Sequence, residues 1–531
     1  MPIDLRRRGK VSETFFVMPD KALTLSGPLT STARAFSMTH VSAVAICHLF
    51  LGGLVSTLLQ NLHRALHPRA VAVVGARKVD DYMWLRNMST FTGGPVYSVN
   101  IDPNEIPGIE ALGFKNYARL TDIPEPVDFA VVAVPRRAAP IVLQDAITKG
   151  VAGVSMFTAG FAETAAEEGR QLQQTITTMA REANLALIGP NCMGVYHPKL
   201  GIRNNAEQPS GVAGNIGFLS QSGTHAINFS LYGSSQGLKI SKAISYGNAV
   251  VLDSPDLLEY LLEDDETTVI GMYIEGPRDG RRLFEVIKRI PPRKPLLIWR
   301  GGQTAAGSRA TASHTASLAQ SREIWDALFQ QTGAIRVDGL EEMVDTIKAL
   351  QWLKPSTGQR FGLVTMTGGP SVVITDTFAR VGLDIPTLTE ASYEMFQGFF
   401  NIIGGSYKNP IDMGMNWAGE NLHEIMRILM EDANIDAVVN DLPLTFLYRR
   451  MARQPDFKGR LFSTLTEMRE RYPKPLLAVV GFSPFEKEEV DMRRELQEIG
   501  IPAFHNFERA ARAYRNASMY YRFLASMEAA A

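Results

Sequence analysis

Apolar positions along this chain fall into short continuous runs separated by amphipathic stretches. Leu58, Leu59, Leu62 and Leu66 keep helical spacing up to Pro68, which ends a helix. Ala70 to Val74 is then uninterruptedly apolar and closes on Gly75. Such a run is the pattern of a parallel strand buried on both faces. Comparable runs at residues 96–99, 129–134, 153–157 and 185–188 alternate with helical patterns. That alternation predicts a doubly wound α/β domain over residues 58–205. A second series (216–220, 240–245, 269–274, 295–299) predicts another over 206–354. Residues 354–358, Lys-Pro-Ser-Thr-Gly, read as a linker. A third series (360–366, 437–440, 475–480) predicts a last domain over 359–525.

Residues 1–57 stand apart. Val41 to Leu59 is apolar but interrupted by Ser42, His48, Ser56 and Thr57, and barely reaches membrane-spanning length. The basic stretch Arg6 to Arg8 lies too far upstream for a signal peptide, which keeps its basic and apolar regions adjacent. A loosely ordered extension is expected, with Met38 as an alternative start and no membrane association.

Charge narrows the function classes. With 54 basic and 55 acidic residues the formal net charge is −1, which supplies no long-range field for nucleic acid. A polyanionic ligand must therefore be held by local features such as helix N-termini. Only Cys47 and Cys192 are present, so no disulfide framework organises the fold; a reducing, cytoplasmic setting is expected. No Cys/His group has the spacing of a metal site, and none is expected.

Several turns carry candidate chemistry. Ser220-Gln221-Ser222-Gly223-Thr224 follows a strand and precedes a helix, a context that suits phosphate and equally suits a plain N-cap. Thr367-Gly368-Gly369-Pro370-Ser371 repeats that context in the third series. Gly75-Ala76-Arg77-Lys78 closes the first strand without spaced glycines, so a dinucleotide fingerprint is absent. Its two cations are candidates for phosphate contact or simple solvation. The loop from Gly301 to Ser317 is built of small residues around one imidazole, His314, in a form that admits close approach of another chain or a phosphate. A histidine nucleophile needs one ring nitrogen held by a partner. Glu275 ends a strand of the same series and is the candidate orienter.

Together these residues resemble the nucleotide-diphosphate-forming acyl-CoA synthetases, over about residues 58–523. The resemblance rests on four stretches: Val71 to Ala76 with Gly94-Pro95-Val96-Tyr97, Gly189-Pro190-Asn191-Cys192-Met193-Gly194, Ser220-Gln221-Ser222-Gly223, and Ser313-His314-Thr315. It implies a Rossmann-like CoA-binding domain followed by two flavodoxin-like domains of succinyl-CoA-synthetase type. It implies His314 as the phosphorylated histidine, Glu275 as the glutamate that positions it, and Ser220, Gln221, Ser222 and Gly223 as the phosphate-holding turn. The CoA site is expected at Gly75, Ala76, Arg77, Lys78, Val99, Asn100, Val134, Pro135, Phe157, Thr158, Ala159, Gly160, Pro190 and Asn191. The implied chemistry interconverts acyl-CoA plus phosphate with acid plus CoA, through acyl phosphate and phosphohistidine. Mg-ATP or Mg-ADP would be handled by a separate ATP-grasp β subunit in a hetero-oligomer, because no stretch here reads as a P-loop and nothing after Phe523 has the length of an ATP-grasp domain. The sequence departs from the family where Lys78 to Trp84 replaces a Gly/Ser-rich CoA turn. A CoA-ester-binding scaffold, or an acyl or carbamoyl transferase that does not use ATP, is the alternative; the retained Ser313-His314-Thr315 favours the ligase.

Overall fold

The computed structural model describes residues 57–304, 306–307, 321–417, 421–481 and 483–530. The expected N-terminal extension up to residue 56 and the stretch carrying His314 lie outside the described residues. Three parallel-dominated sheets follow one another. The first holds β1 (Val71–Val74), β2 (Val96–Val99), β3 (Lys115–Tyr117), β4 (Phe129–Val132), β5 (Gly153–Met156) and β6 (Ala186–Ile188), in the order β3-β2-β1-β4-β5-β6. All pairings in it are parallel, the Rossmann arrangement. The second sheet holds β7 (Gly194–Tyr196), β8 (Ile216–Ser220), β9 (Ile240–Ser245), β10 (Val269–Ile274), β11 (Leu296–Arg300) and β12 (Ile335–Val337). Its order is β12-β11-β10-β8-β9-β7, a flavodoxin-like sheet extended by the antiparallel edge strand β7. The third holds β13 (Phe361–Thr365), β14 (Ile411–Asp412), β15 (Ala437–Asp441), β16 (Leu476–Val479) and β17 (Ala503–Phe504), ordered β14-β13-β15-β16-β17.

The long apolar runs became central strands because helices cover both faces of each sheet; every residue of β1, β4, β8 and β10 is buried. Five strands were not expected from the pattern: β3, β7, β12, β14 and β17. They have two or three residues each and sit at sheet edges, where a hydrophobic run is neither needed nor long enough to register. β7 follows the first domain in sequence but pairs with β9, so the chain crosses into the second sheet at Gly194. No helix among the described residues is long and apolar enough to cross a membrane.

Each sheet is clasped at the edge where its strands begin. Arg69, just before β1, gives Asp128, just before β4, hydrogen bonds from its backbone N–H (3.0 Å), Nε (2.8 Å) and a terminal guanidinium nitrogen (3.0 Å). Arg360 and Asp436 repeat the same three bonds ahead of β13 and β15. In the second sheet a neutral pair, Asn215 Nδ2 to Thr268 Oγ1 at 2.9 Å, stands in the same place. The last helix, Phe507–Ala530, fastens the third unit to the second. Arg509 donates to Asp345 (2.5 Å), Glu341 (2.8 Å) and the Tyr232 hydroxyl (2.8 Å), and buried Lys348 donates to the Ala503 carbonyl at 2.6 Å.

Burial pushes the Asp128 carboxyl up, but the hydrogen bonds and charge of Arg69 more than offset this and hold it below the usual range. Asp128→Asn should cost about 2 kcal/mol at neutral pH, the scale of charge-assisted hydrogen bonds. A depressed folded pKa stabilises above the ordinary carboxylate range and loses that contribution as pH falls through it. Urea titrations at neutral and acidic pH should therefore show the gap between the two proteins closing on acidification. Asp436→Asn should behave alike but lose less, since the Asp436 side chain is 21% exposed against 2% for Asp128.

Candidate active site

The order of the first sheet reverses at β1, which leaves a crevice above its C-terminal end, between β1 and β4. The chain leaves β1 at Gly75 with φ +89°, and a Cβ there would lie 2.7 Å from the Ala133 carbonyl oxygen. Only glycine fits that exit, which carries Arg77 to the crevice rim. The opposite wall is the C-terminal end of β8, where Gln221 and Ser222 lead into helix Gly223–Ser235. Between the walls runs a cleft of about 600 Å³.

Of the residues expected at the CoA site, Arg77, Val134, Pro135, Phe157, Thr158, Ala159 and Asn191 line this cleft. Gln221, Ser222 and Gly223 of the expected phosphate turn line it from the other side. Gly75, Ala76, Lys78, Val99, Asn100, Gly160, Pro190 and Ser220 are not among its walls. Asn100 Nδ2 donates instead to the Ala76 carbonyl at 2.8 Å, and the Lys78 N–H to Glu105 at 2.7 Å. In the segment that departs from the family pattern, Lys78–Asp80 forms a single 3₁₀ turn, followed by two left-handed residues, Asp81 and Tyr82. These swing Trp84 under the cleft, where it meets Phe157 edge-on at 5.1 Å. The sequence reading missed Arg136 and Asn248, which also line the cleft. The signal for Arg136 was available: a cation directly after the apolar run of β4.

The turn after β8 is a helix cap that opens on the cleft. Ser220 is buried; its Oγ donates to the Ser222 carbonyl (2.7 Å) and accepts from the Ser222 N–H (3.1 Å), shaping the turn from behind. Ser222 caps the helix, its Oγ accepting from the His225 N–H at 3.4 Å. The first-turn residues Gly223 and Thr224 then face the cleft, where the helix dipole favours negative charge.

Gln221 ties this turn to the candidate orienting carboxylate. Its Oε1 accepts from the backbone N–H groups of Glu275 (2.5 Å) and Gly276 (3.0 Å), and its Nε2 donates to the Gly276 carbonyl at 2.9 Å. Glu275 is buried at the end of β10 and accepts from the Tyr273 hydroxyl at 3.2 Å. A Cβ on Gly301 would lie 3.3 Å from Glu275 Cγ, so the chain that leads towards His314 departs β11 directly against this glutamate. Burial first, and then the Glu275 charge, push the Tyr273 phenol well up, which keeps it a proton donor. His225 and Trp299 pack on Tyr273, with ring centroids 4.4 and 4.8 Å away.

Two further groups are excluded or set apart. The Cys192 thiol is buried and pushed up to about 12, so it supplies no thiolate nucleophile. In the third unit Thr367 leads into helix Gly368–Arg380 away from this cleft. Nearby, burial pushes the Asp441 carboxyl up to about 7 against a hydrogen bond from Met366.

Gln221→Ala removes the acceptor of two buried N–H groups. A stability loss of about 3 kcal/mol is expected, read as a lower denaturation midpoint. Ser222→Ala, which removes only the 3.4 Å cap bond to the His225 N–H, should lose less; an equal loss in the two variants would count against the Gln221 link.

The sequence and the architecture match known proteins. A family model described as a CoA binding domain matches residues 69–198, and one described as a succinyl-CoA ligase like flavodoxin domain matches residues 213–350. The chain is 32% identical to the acetate–CoA ligase [ADP-forming] II subunit alpha of Pyrococcus furiosus, over 84% of this chain and 95% of that one. It is also 32% identical to acetate–CoA ligase [ADP-forming] I of Archaeoglobus fulgidus, over 85% of this chain but 62% of that one. A solved structure of the dinucleotide forming acetyl-coenzyme A synthetase 1 of Ca. Korarchaeum cryptofilum, in complex with phosphate and ADP, superposes with TM-score 0.74 at 28% identity, covering 88% of this chain and 99% of that one. With the Rossmann sheet, the flavodoxin-like sheets and the cleft between them in place, this chain belongs to the ADP-forming acyl-CoA synthetase family.

Proposed function

We propose that this chain is the α-type part of an ADP-forming carboxylate–CoA ligase, and that it performs the thioester and phosphohistidine steps of the reaction. The observation that carries the reading is the cleft itself. One wall offers the strand ends of a CoA-binding fold with Arg77 and Asn191; the other offers the helix N-terminus at Gly223, with Glu275 anchored behind it by Gln221. Phosphate held at Gly223 and Thr224 attacks the thioester carbonyl of an acyl-CoA, giving acyl phosphate and free CoA. A ring nitrogen of His314 then attacks phosphorus, the carboxylate leaves, and phosphohistidine remains. ADP accepts that phosphoryl group and becomes ATP. Run in reverse, the same steps activate a small carboxylic acid. Glu275 acts by holding the imidazole in one tautomer and stabilising the cation formed on it. We assign the nucleotide steps to an ATP-grasp β subunit, because the relative named an alpha subunit is matched over 95% of its length. Cysteine usage favours a reducing, cytoplasmic setting.

The test is ADP release from ATP, CoA and a panel of small carboxylic acids, using this chain with and without an ATP-grasp partner. Turnover should need both proteins, and ATP should leave an acid-labile, alkali-stable phosphoryl group on the chain. His314→Asn should abolish label and turnover. Glu275→Gln should leave folding intact and lower kcat by about 10²–10⁴-fold. Arg77→Ala should raise the KM for CoA about tenfold, the loss of one charge-assisted contact, with kcat little changed. CoA binding without turnover on any acid would leave the scaffold reading; full turnover by this chain alone would overturn the division of labour.

A further inference from the structure

At the sheet edge opposite the cleft, three residues from distant parts of the chain converge. His67 lies between helix Thr57–Leu66 and β1, His197 follows β7, and Glu266 lies between helix Ser254–Glu263 and β10. One ligand atom from each falls within 4.8 Å of the others. His197 is buried, and neither of its ring nitrogens has a hydrogen-bond partner among the described residues. A buried imidazole with both nitrogens unsatisfied is costly and calls for a ligand. Its Nε2 is 3.8 Å from Glu266 Oε2, and its ring stands edge-on to His67 with centroids 5.5 Å apart. His67 Nδ1 is 3.1 Å from the His63 carbonyl oxygen, so it carries the proton and leaves Nε2 with a free lone pair. A backbone carbonyl orients metal-bound histidines in this way.

We propose that His67, His197 and Glu266 form a binding site for one zinc-type divalent cation that ties the first α/β unit to the second. Glu266 accepts hydrogen bonds from Lys199 and Lys242. Those lysines, at 2.6 and 2.7 Å, are the groups an ion must displace. Lys242 keeps both oxygens of Asp264, at 3.1 and 3.0 Å, when Glu266 turns away. Lys199 is 54% exposed and returns to water. Two imidazoles with one carboxylate select zinc and its borderline neighbours over magnesium or calcium, which want oxygen ligands. The ligands are 130 and 69 positions apart in sequence, which is why no motif spacing announces them.

The experiment uses the untagged full-length chain, stripped with a chelator and titrated with zinc against a chromophoric competitor. One zinc ion per chain should bind, with an upward shift of the thermal midpoint that magnesium at the same concentration does not produce. His67→Gln and Glu266→Gln should each weaken binding by about 10–100-fold or more, while His423→Gln, on the third unit, should leave it unchanged. Should His197→Gln fail to fold, the partly exposed His67 decides the matter through its own variant. Absence of zinc binding by the folded wild-type chain, or an affinity unchanged in His67→Gln, would overturn the proposal.

Discussion

The site depends on one close backbone approach between the first two units. The turn Gly189-Pro190-Asn191, after β6, lies against the turn Gly247-Asn248, after β9. A Cβ on Gly247 would stand 2.3 Å from the Asn191 carbonyl oxygen and 2.4 Å from that of Pro190, and Gly247 has φ +49°. The Asn248 N–H donates to the Pro190 carbonyl at 3.0 Å, and the Val250 N–H to that of Gly189 at 3.3 Å. Any larger residue at Gly247 separates the two turns, and with them the two walls of the cleft. Asn248 extends the junction, its Nδ2 donating to Glu163 at 2.6 Å and Gln173 at 3.1 Å. A strand-end crevice and a helix N-terminus are common features of α/β folds; this contact makes them face each other across one cavity.

Within that frame, one side-chain amide joins the two strand-exit turns beside the cleft. Gln221 carries no charge and titrates nowhere, yet it joins the turn after β8 to the backbone of Glu275 and Gly276. A neutral linker keeps its bonds across the pH range. The small residues serve the same end. Gly301 leaves room for Tyr273 and Glu275, and Gly223 leaves room for Met193, whose Cγ would lie 2.7 Å from an added Cβ.

The three units share a clasp at the edge where their strands begin, but they vary its charge. Two use an arginine and a buried or half-buried aspartate; the middle one uses Asn215 and Thr268. Such polar pairs satisfy the backbone at strand entry without occupying the strand-exit edge, where ligands bind. Arg509, Lys348 and the last helix then join the second and third units through buried hydrogen bonds and charge.

The sequence by itself determined the fold class and the central strands, because a strand buried on both faces must be continuously apolar and that is visible locally. It also marked the turns Gly75 to Arg77, Ser220 to Gly223 and the end of β10 at Glu275, since strand-exit turns carry recognisable small and polar residues. The short edge strands escaped it, having too few residues and one open side. So did the reach of each site residue. Ser220 and Gly75 belong to the expected motifs but shape the cleft from behind, whereas Asn248 stands in its wall without any motif. Only the tertiary structure decided which side of a turn faces the cavity, because that depends on the packing of one sheet against the next. The same holds for His67, His197 and Glu266, distant in sequence and adjacent only because two sheets present their entry edges to each other.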